Sequence, residues 1–486
     1  MNLKTTLLVL LTLFTTFAKT HAKETIIKGK IEGKLPEAVY YSLPVNGSLG
    51  FDAGYSLKPD AEGNFTIKAD LLEITFIDIY YNYQPAGFII ATPGGIYGIT
   101  ITENKGKVTH VITGKDSEAQ KLYNTLAYDH RMSLIDDLAR KMKGKTAQAV
   151  KQQLEEQEKA DVAAFKKLLD SGVISQDFYN NIKAERGYFY ATVTGYTGTI
   201  NYNLALRGEE FDFTNMNALW CDVYTKHPAD GKMVRKTPWG FLYLNGYQSF
   251  KRYEETGFDP TVNMNTDNIG FLQIIENIVP AQNLEYYTAA YLHEAILQGT
   301  NDKNLITIFE DFKITYPKSG YITYFEPKIA AVKDFHKIST ELTGNTAFVN
   351  DYSKVNSVDE LIKKFSGRKV YIDVWATWCG PCRQEFKHKD SLYKLLKEHD
   401  ITVVYISIDD DKEDDRWKKM INLYGLEGSH IRANKQLGAD LRKLFNKGGG
   451  IAIPWYMLVD ATGKMTRTYA APPSKIERLK EDISAM

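Results

Sequence analysis

Val370-Tyr371-Ile372-Asp373-Val374-Trp375-Ala376-Thr377-Trp378-Cys379-Gly380-Pro381-Cys382 decides how the last third of this 486-residue chain folds. Residues 370–375 form an almost continuous apolar run, the pattern of a strand buried on both faces. A short loop then leads into a helix whose first turn holds both sulfurs. Two cysteines three residues apart in such a turn can bridge. Cys379, at the helix start, lies beside unpaired amide N–H groups and the positive end of the dipole, which stabilise a thiolate. Thiols of Cys-x-x-Cys pairs have pKa values lowered from about 8.5 to roughly 3.5–7.5. Cys379 is therefore expected to attack. Cys382, one turn deeper, loses that help and is expected to resolve the mixed disulfide by attacking Cys379. The redox-active disulfide is expected to serve without a further cofactor.

The flanking sequence supplies a frame for this turn. Residues 401–408 are a second continuous apolar run, and Trp417, Met420, Ile421 and Tyr424 recur at helical spacing. Residues 435–445 give another helix, and strands at 453–459 and 465–470 flank the turn Asp460-Ala461-Thr462-Gly463. Ser474 with Glu477 three residues on predicts a capping box for the last helix. Strands alternating with helices over residues 344–486 predict an α/β sandwich around a central mixed sheet.

The run Trp-Ala-Thr-Trp-Cys-Gly-Pro-Cys-Arg-Gln-Glu-Phe, from Trp375 to Phe386, resembles the thioredoxin superfamily, and in particular the exported TlpA/ResA-type thiol-disulfide oxidoreductases. The resemblance covers about the last 140 residues. It implies a thioredoxin-like fold in which Ile453-Pro454 carries a cis-proline facing the dithiol, with Trp378, Gly380, Pro381, Ile453 and Pro454 lining the substrate groove. Trp455 stands where Thr is common, a departure that bears on the shape of that groove. Two carboxylates are candidates to take the proton from Cys382. Asp373 occupies the position of the buried acid of ordinary thioredoxins, where desolvation raises proton affinity. Glu385 matches the acidic residue of the TlpA/ResA type; a solvated acid favoured by the helix dipole is the simpler reading. The sequence leaves the two unranked.

Upstream, residues 23–114 carry short alternating runs separated by Gly, Pro and Asn turns, which predicts an all-β sandwich. Residues 88–101 and 114–123 resemble the β-domain of unassigned function that often precedes exported thioredoxins in Gram-negative bacteria. From residue 115 to 343 the period changes to that of helices: residues 147–169 place Val150, Leu154, Val162, Phe165 and Leu169 on one repeat, and residues 284–297 and 305–316 read as a helical hairpin. Cys221, beside Trp220, is expected to be a buried inert thiol, with an intermolecular bridge as the sharper alternative.

Residues 1–22 read as a secretory signal peptide: Lys4, an apolar stretch over residues 7–17, and Thr20-His21-Ala22 as a cleavage site. A membrane helix wants roughly 20 apolar residues, so the stretch is short for a span, although an uncleaved N-terminal anchor is the alternative. Lys plus Arg total 60 and Asp plus Glu total 60, so no net field draws nucleic acid. With only three cysteines, the chain is expected to stand on apolar cores rather than on disulfide staples. The carboxylate-dense stretch over residues 409–415 lacks the glycine a calcium loop needs and reads as a solvated helix entry. The nine histidines show no metal-ligand spacing, and Gly448-Gly449-Gly450 reads as a flexible loop. The expectation is a periplasmic thiol-disulfide oxidoreductase acting as a reductase on envelope protein thiols, supplied by a membrane electron donor. An envelope adaptor using the fold as a scaffold and a thiol peroxidase are the alternatives; the latter would want a lone peroxidatic cysteine.

Overall fold

The computed structural model describes residues 21–486 apart from 52–53, 83, 127–131, 206–212, 260–265, 343 and 446–449. Gly448-Gly449 and the expected leader, His21 and Ala22 excepted, lie outside the described residues. The chain divides into two compact units, Met1–Ala290 and Tyr291–Met486.

The first unit opens with β1 (Lys23–Glu32), β2 (Val39–Tyr41), β3 (Tyr55–Leu57), β4 (Asn64–Leu71), β5 (Thr75–Tyr81), β6 (Gln84–Ala91), β7 (Ile96–Asn104) and β8 (Lys107–Gly114). They form two four-stranded sheets, β4-β1-β7-β8 and β3-β2-β5-β6. β4 buries every second residue, which is the period-two alternation of a sheet with one wet face. Ile27, Ile67 and Ile101 of one sheet share a single core with Val39, Ile77 and Ile89 of the other. The front of the chain is thus a β-sandwich, with β1 and β7 running parallel inside it.

Helices follow, and the longest is Gln176–Ala205. Its middle, Tyr188-Phe189-Tyr190-Ala191-Thr192-Val193-Thr194-Gly195-Tyr196-Thr197, is rich in residues that favour strands. Burial on all sides overrides that preference, since residues 185–198 are uniformly buried. Four threonines return their hydroxyls to the carbonyls four residues back: Thr192 to Tyr188, Thr194 to Tyr190, Thr197 to Val193 and Thr199 to Gly195. These bonds satisfy hydroxyls that would otherwise be orphaned in an apolar setting. Trp220 packs so closely on Gly198 that a Cβ there would meet its ring at 2.6 Å. Because the helix Phe213–Lys226 turns Trp220 inward, its neighbour Cys221 points outward. The expected buried thiol is therefore an exposed one, its pKa raised by residual burial and by Glu254.

In the second unit the helices Asn304–Thr315 and Tyr321–Lys337 precede a six-stranded mixed sheet. Its strands are β9 (Thr346–Phe348), β10 (Lys369–Trp375), β11 (Ile401–Ser407), β12 (Gly428–Arg432), β13 (Trp455–Val459) and β14 (Met465–Arg467), in the order β14-β13-β10-β11-β12-β9. β10 sits centrally, parallel to β11 and antiparallel to β13. Its six consecutive buried residues, 370–375, explain the continuous apolar run in the sequence. Alternate side chains enter two different cores: Tyr371 and Trp375 on one face, Val370, Ile372 and Val374 on the other.

One sequence expectation fails here. The last helix is Ile476–Ser484 with Lys475 at its N-cap, and no side chain caps it. Ser474 instead lies in a 3₁₀ turn and turns its hydroxyl to Glu385, 89 residues earlier, so the capping box does not form.

Candidate functional site

β10 ends at Trp375, and after the loop the chain enters the helix Gly380–Glu385. Cys379 is the N-cap of that helix, in extended conformation, and its Sγ accepts the Cys382 N–H at 3.1 Å. A sulfur thus takes the place that a Ser or Asp oxygen usually fills at a helix start. Cys379 and Cys382 are joined as a disulfide. They are 3% and 1% exposed respectively, and both belong to the core that contains Tyr371, Trp375, Phe386, Tyr405 and Tyr456. Trp378, next to Cys379, is 51% exposed, and Pro381 is exposed as well. The Ile453–Pro454 peptide bond is cis, and Ile453 packs against the core that holds the cysteines. Trp455 enters the opposite core, where it packs edge-on against Phe445 at 5.1 Å and donates from Nε1 to Thr468 O at 2.6 Å. The departure from the family pattern therefore lies on the far face of the sheet from the cysteines.

Asp373 lies among tyrosines. In the sheet register it is flanked by Tyr405 on β11 and Tyr456 on β13, with Tyr371 two residues earlier on the same strand face. It is 2% exposed, and its Oδ1 has no hydrogen-bond partner among the described residues. Burial, followed by the nearby charge of Glu385, holds its pKa well above the usual carboxylate range. Tyr371 OH and Tyr456 OH are likewise buried without partners among the described residues, while Tyr405 shares a 2.8 Å bond with Tyr393. Glu385 is only half-buried and is engaged at both oxygens: it accepts from Ser474 N–H at 2.9 Å and from Ser474 Oγ at 2.8 Å. The structure therefore brings the two candidate carboxylates within electrostatic reach of each other and separates them by environment.

Sequence reasoning missed the device that holds the loop. Thr377, fully buried, is gripped at every polar atom. Its N–H donates to Asp409 Oδ2 at 2.9 Å and its hydroxyl to Asp409 Oδ1 at 2.8 Å. Arg416 donates to the same hydroxyl oxygen from Nε at 3.0 Å and from Nη2 at 2.6 Å. The Thr377 carbonyl accepts from Arg383 Nη1 at 3.3 Å. Asp409 is itself fixed by Ser407, whose hydroxyl donates to Oδ2 at 2.7 Å. Asp409 is thus a buried anchor, not part of a solvated helix entry. The dense run of carboxylates after it masked the one that faces inward.

Residues 346–483 match the family model described as Redoxin. Thiol-disulfide oxidoreductase ResA of Bacillus thuringiensis subsp. konkukian is 30% identical over 120 residues, which are 25% of this chain and 64% of that relative. ResA of Bacillus anthracis is 28% identical over 114 residues, 24% of this chain and 61% of the relative. The chain thus spans less than two thirds of the length of these relatives. Among solved structures, the thioredoxin domain of a thiol-disulfide oxidoreductase from Bacteroides vulgatus is 24% identical, with 25% of this chain and 81% of that one covered and a TM-score of 0.21. The Redoxin match covers the region that holds both cysteines. No described helix is long and apolar enough to cross a membrane.

Proposed function

We propose that this chain is an exported thiol-disulfide oxidoreductase that exchanges its Cys379–Cys382 pair with protein thiols and disulfides of the periplasm, working as a reductase. The observation that carries the reading is the Cys379 sulfur at a helix N-cap, bridged to Cys382 and accepting its N–H. In the reduced form, the same N–H and helix end stabilise a Cys379 thiolate. That thiolate attacks a client disulfide, forms a mixed disulfide and expels one client thiolate. Cys382 then gives up its proton and attacks the Cys379 sulfur, which releases the second client thiolate and leaves the Cys379–Cys382 disulfide. Two electrons pass to the client, and a membrane donor must restore them.

Asp373, in its ionised form, is the better candidate to take the Cys382 proton. Its proton affinity is raised by burial and one oxygen is unpartnered, whereas both oxygens of Glu385 are already occupied by Ser474. Trp378, Gly380, Pro381, Ile453 and Pro454 would line the client groove. Direction is tested by redox titration against glutathione. A low-potential couple near the thioredoxin value of about −270 mV is expected, and a potential above about −180 mV would make the chain an isomerase or oxidant instead. Export is tested by intact mass: protein recovered from the periplasm should begin near Lys23, and a full-length mass contradicts cleavage.

A further inference from the structure

Arg383 follows the second cysteine directly, and its guanidinium joins two parts of the second unit. Nη1 donates to Gly299 O at 2.9 Å and to Thr377 O at 3.3 Å, while Nη2 donates to Gln298 O at 2.9 Å. Gln298 and Gly299 follow a helix that ends at Leu297, where exposed carbonyls carry partial negative charge and favour a cation. The guanidinium is a planar fork, so fixing two of its nitrogens fixes where its charge lies. A Cβ built on Gly380 would stand 3.8 Å from Nη2. The charge therefore sits between Thr377 O and Gly380, the residues that bracket Trp378 and Cys379. Gly299 makes this approach possible: its φ is +61°, and a Cβ there would lie 2.5 Å from Nη1 and 2.6 Å from the guanidinium carbon.

We infer that Gln298, Gly299 and Arg383 are positioning residues for Cys379: the two carbonyls hold the guanidinium against the loop that presents the attacking sulfur, and the fixed positive charge adds to the helix end in favouring the thiolate. The inference rests on reading Cys379 as the attacking thiol. It makes the thiol's acidity depend on a segment 80 residues upstream of it, outside the region similar to Redoxin proteins.

The test is the pH dependence of iodoacetamide alkylation of Cys379 in the reduced full chain. It is read at Cys379 from fragment ions by mass spectrometry, which separate it from Cys382 on the same peptide and from Cys221. Removing a nearby opposite charge shifts a pKa by about one unit or more, so Arg383→Gln should raise the midpoint by about one pH unit. Gly299→Ala keeps the arginine but displaces its guanidinium, so it should raise the midpoint in the same direction. Combining the two should add little, because both remove one interaction. Arg383→Lys, which keeps the charge without the fork, should fall between. An unchanged midpoint in Arg383→Gln overturns the inference, as does a native midpoint in Gly299→Ala beside a shifted one in Arg383→Gln. Should Gly299→Ala fail to fold, judged by near-ultraviolet circular dichroism, Arg383→Lys decides: a native midpoint there shows that the fork positions nothing. Failed exchange with these midpoints as expected would count against the proposed function and leave the positioning intact.

Discussion

Asp373 binds its proton more tightly in the folded chain than an ordinary aspartate does, because ionising it places a charge among Tyr371, Tyr405 and Tyr456 with Glu385 nearby. At acid pH both folded and unfolded chains hold this proton. Above about pH 3.9 the unfolded chain releases it and the folded chain does not, so the group lowers stability as pH rises toward its folded pKa. Asp373→Asn should therefore be more stable than the native chain at pH 7, by about 1.4 kcal/mol for each unit by which the folded pKa is raised, counted no further than pH 7. The gain should vanish below about pH 3.5. Thermal unfolding across this range checks it, and a variant less stable than native at pH 7 contradicts the burial cost. Cys379, Cys382, Asp373 and Glu385 were visible in the sequence as candidates because they lie in one short run whose neighbours mark them, and Ile453-Pro454 was visible through the family resemblance. Asp409 was not, since its partner Thr377 lies 32 residues away and only the fold brings the two together. Ser474 was misread for the opposite reason: a local motif was present, and a distant carboxylate outcompeted it.

The loop between β10 and the helix Gly380–Glu385 is an element with almost no choice of conformation. Asp409, Arg416 and Arg383 occupy the amide, hydroxyl and carbonyl of Thr377, while Cys379 N–H closes onto Ala376 O at 3.0 Å. Removing the carboxylate would strand a buried N–H and leave the Arg416 charge with less compensation. Asp409→Ala should cost roughly 2–4 kcal/mol in urea unfolding, and Asp409→Asn less, because the amide oxygen can still accept the Thr377 N–H. Equal and negligible losses in both would show that the loop holds itself. The alternating runs that form β1, β4 and β7 and the helix Ala147–Asp170 were legible from period alone. Residues 176–205 fall within the region expected to be helical, although their own aromatic and β-branched content favours strand, and enclosure on every side settles them as helix.

Across the whole molecule, periodicity changes near residues 114 and 343, while the compact units meet at Ala290 and Tyr291. The difference has a physical origin. Periodicity reports local structure, whereas Asn422 donating to Ser339 O and Glu341 O, and Arg383 reaching Gln298 and Gly299, tie the later helices to the mixed sheet. Such ties are long-range and leave no local mark. The two ResA relatives described above each match about a quarter of the chain, so what the β-sandwich and the helices before Ala290 contribute must be learned from the clients themselves. The most direct measurement is trapping in the full chain. Cys382→Ala removes the intramolecular escape, so Cys379 should remain joined to each protein it attacks, and non-reducing electrophoresis with mass spectrometry should show discrete mixed disulfides. Cys379→Ala should show none. If Cys382→Ala traps nothing in the envelope, or if Cys379→Ala traps the same proteins, then Cys379 is not the attacking thiol of an exchange enzyme.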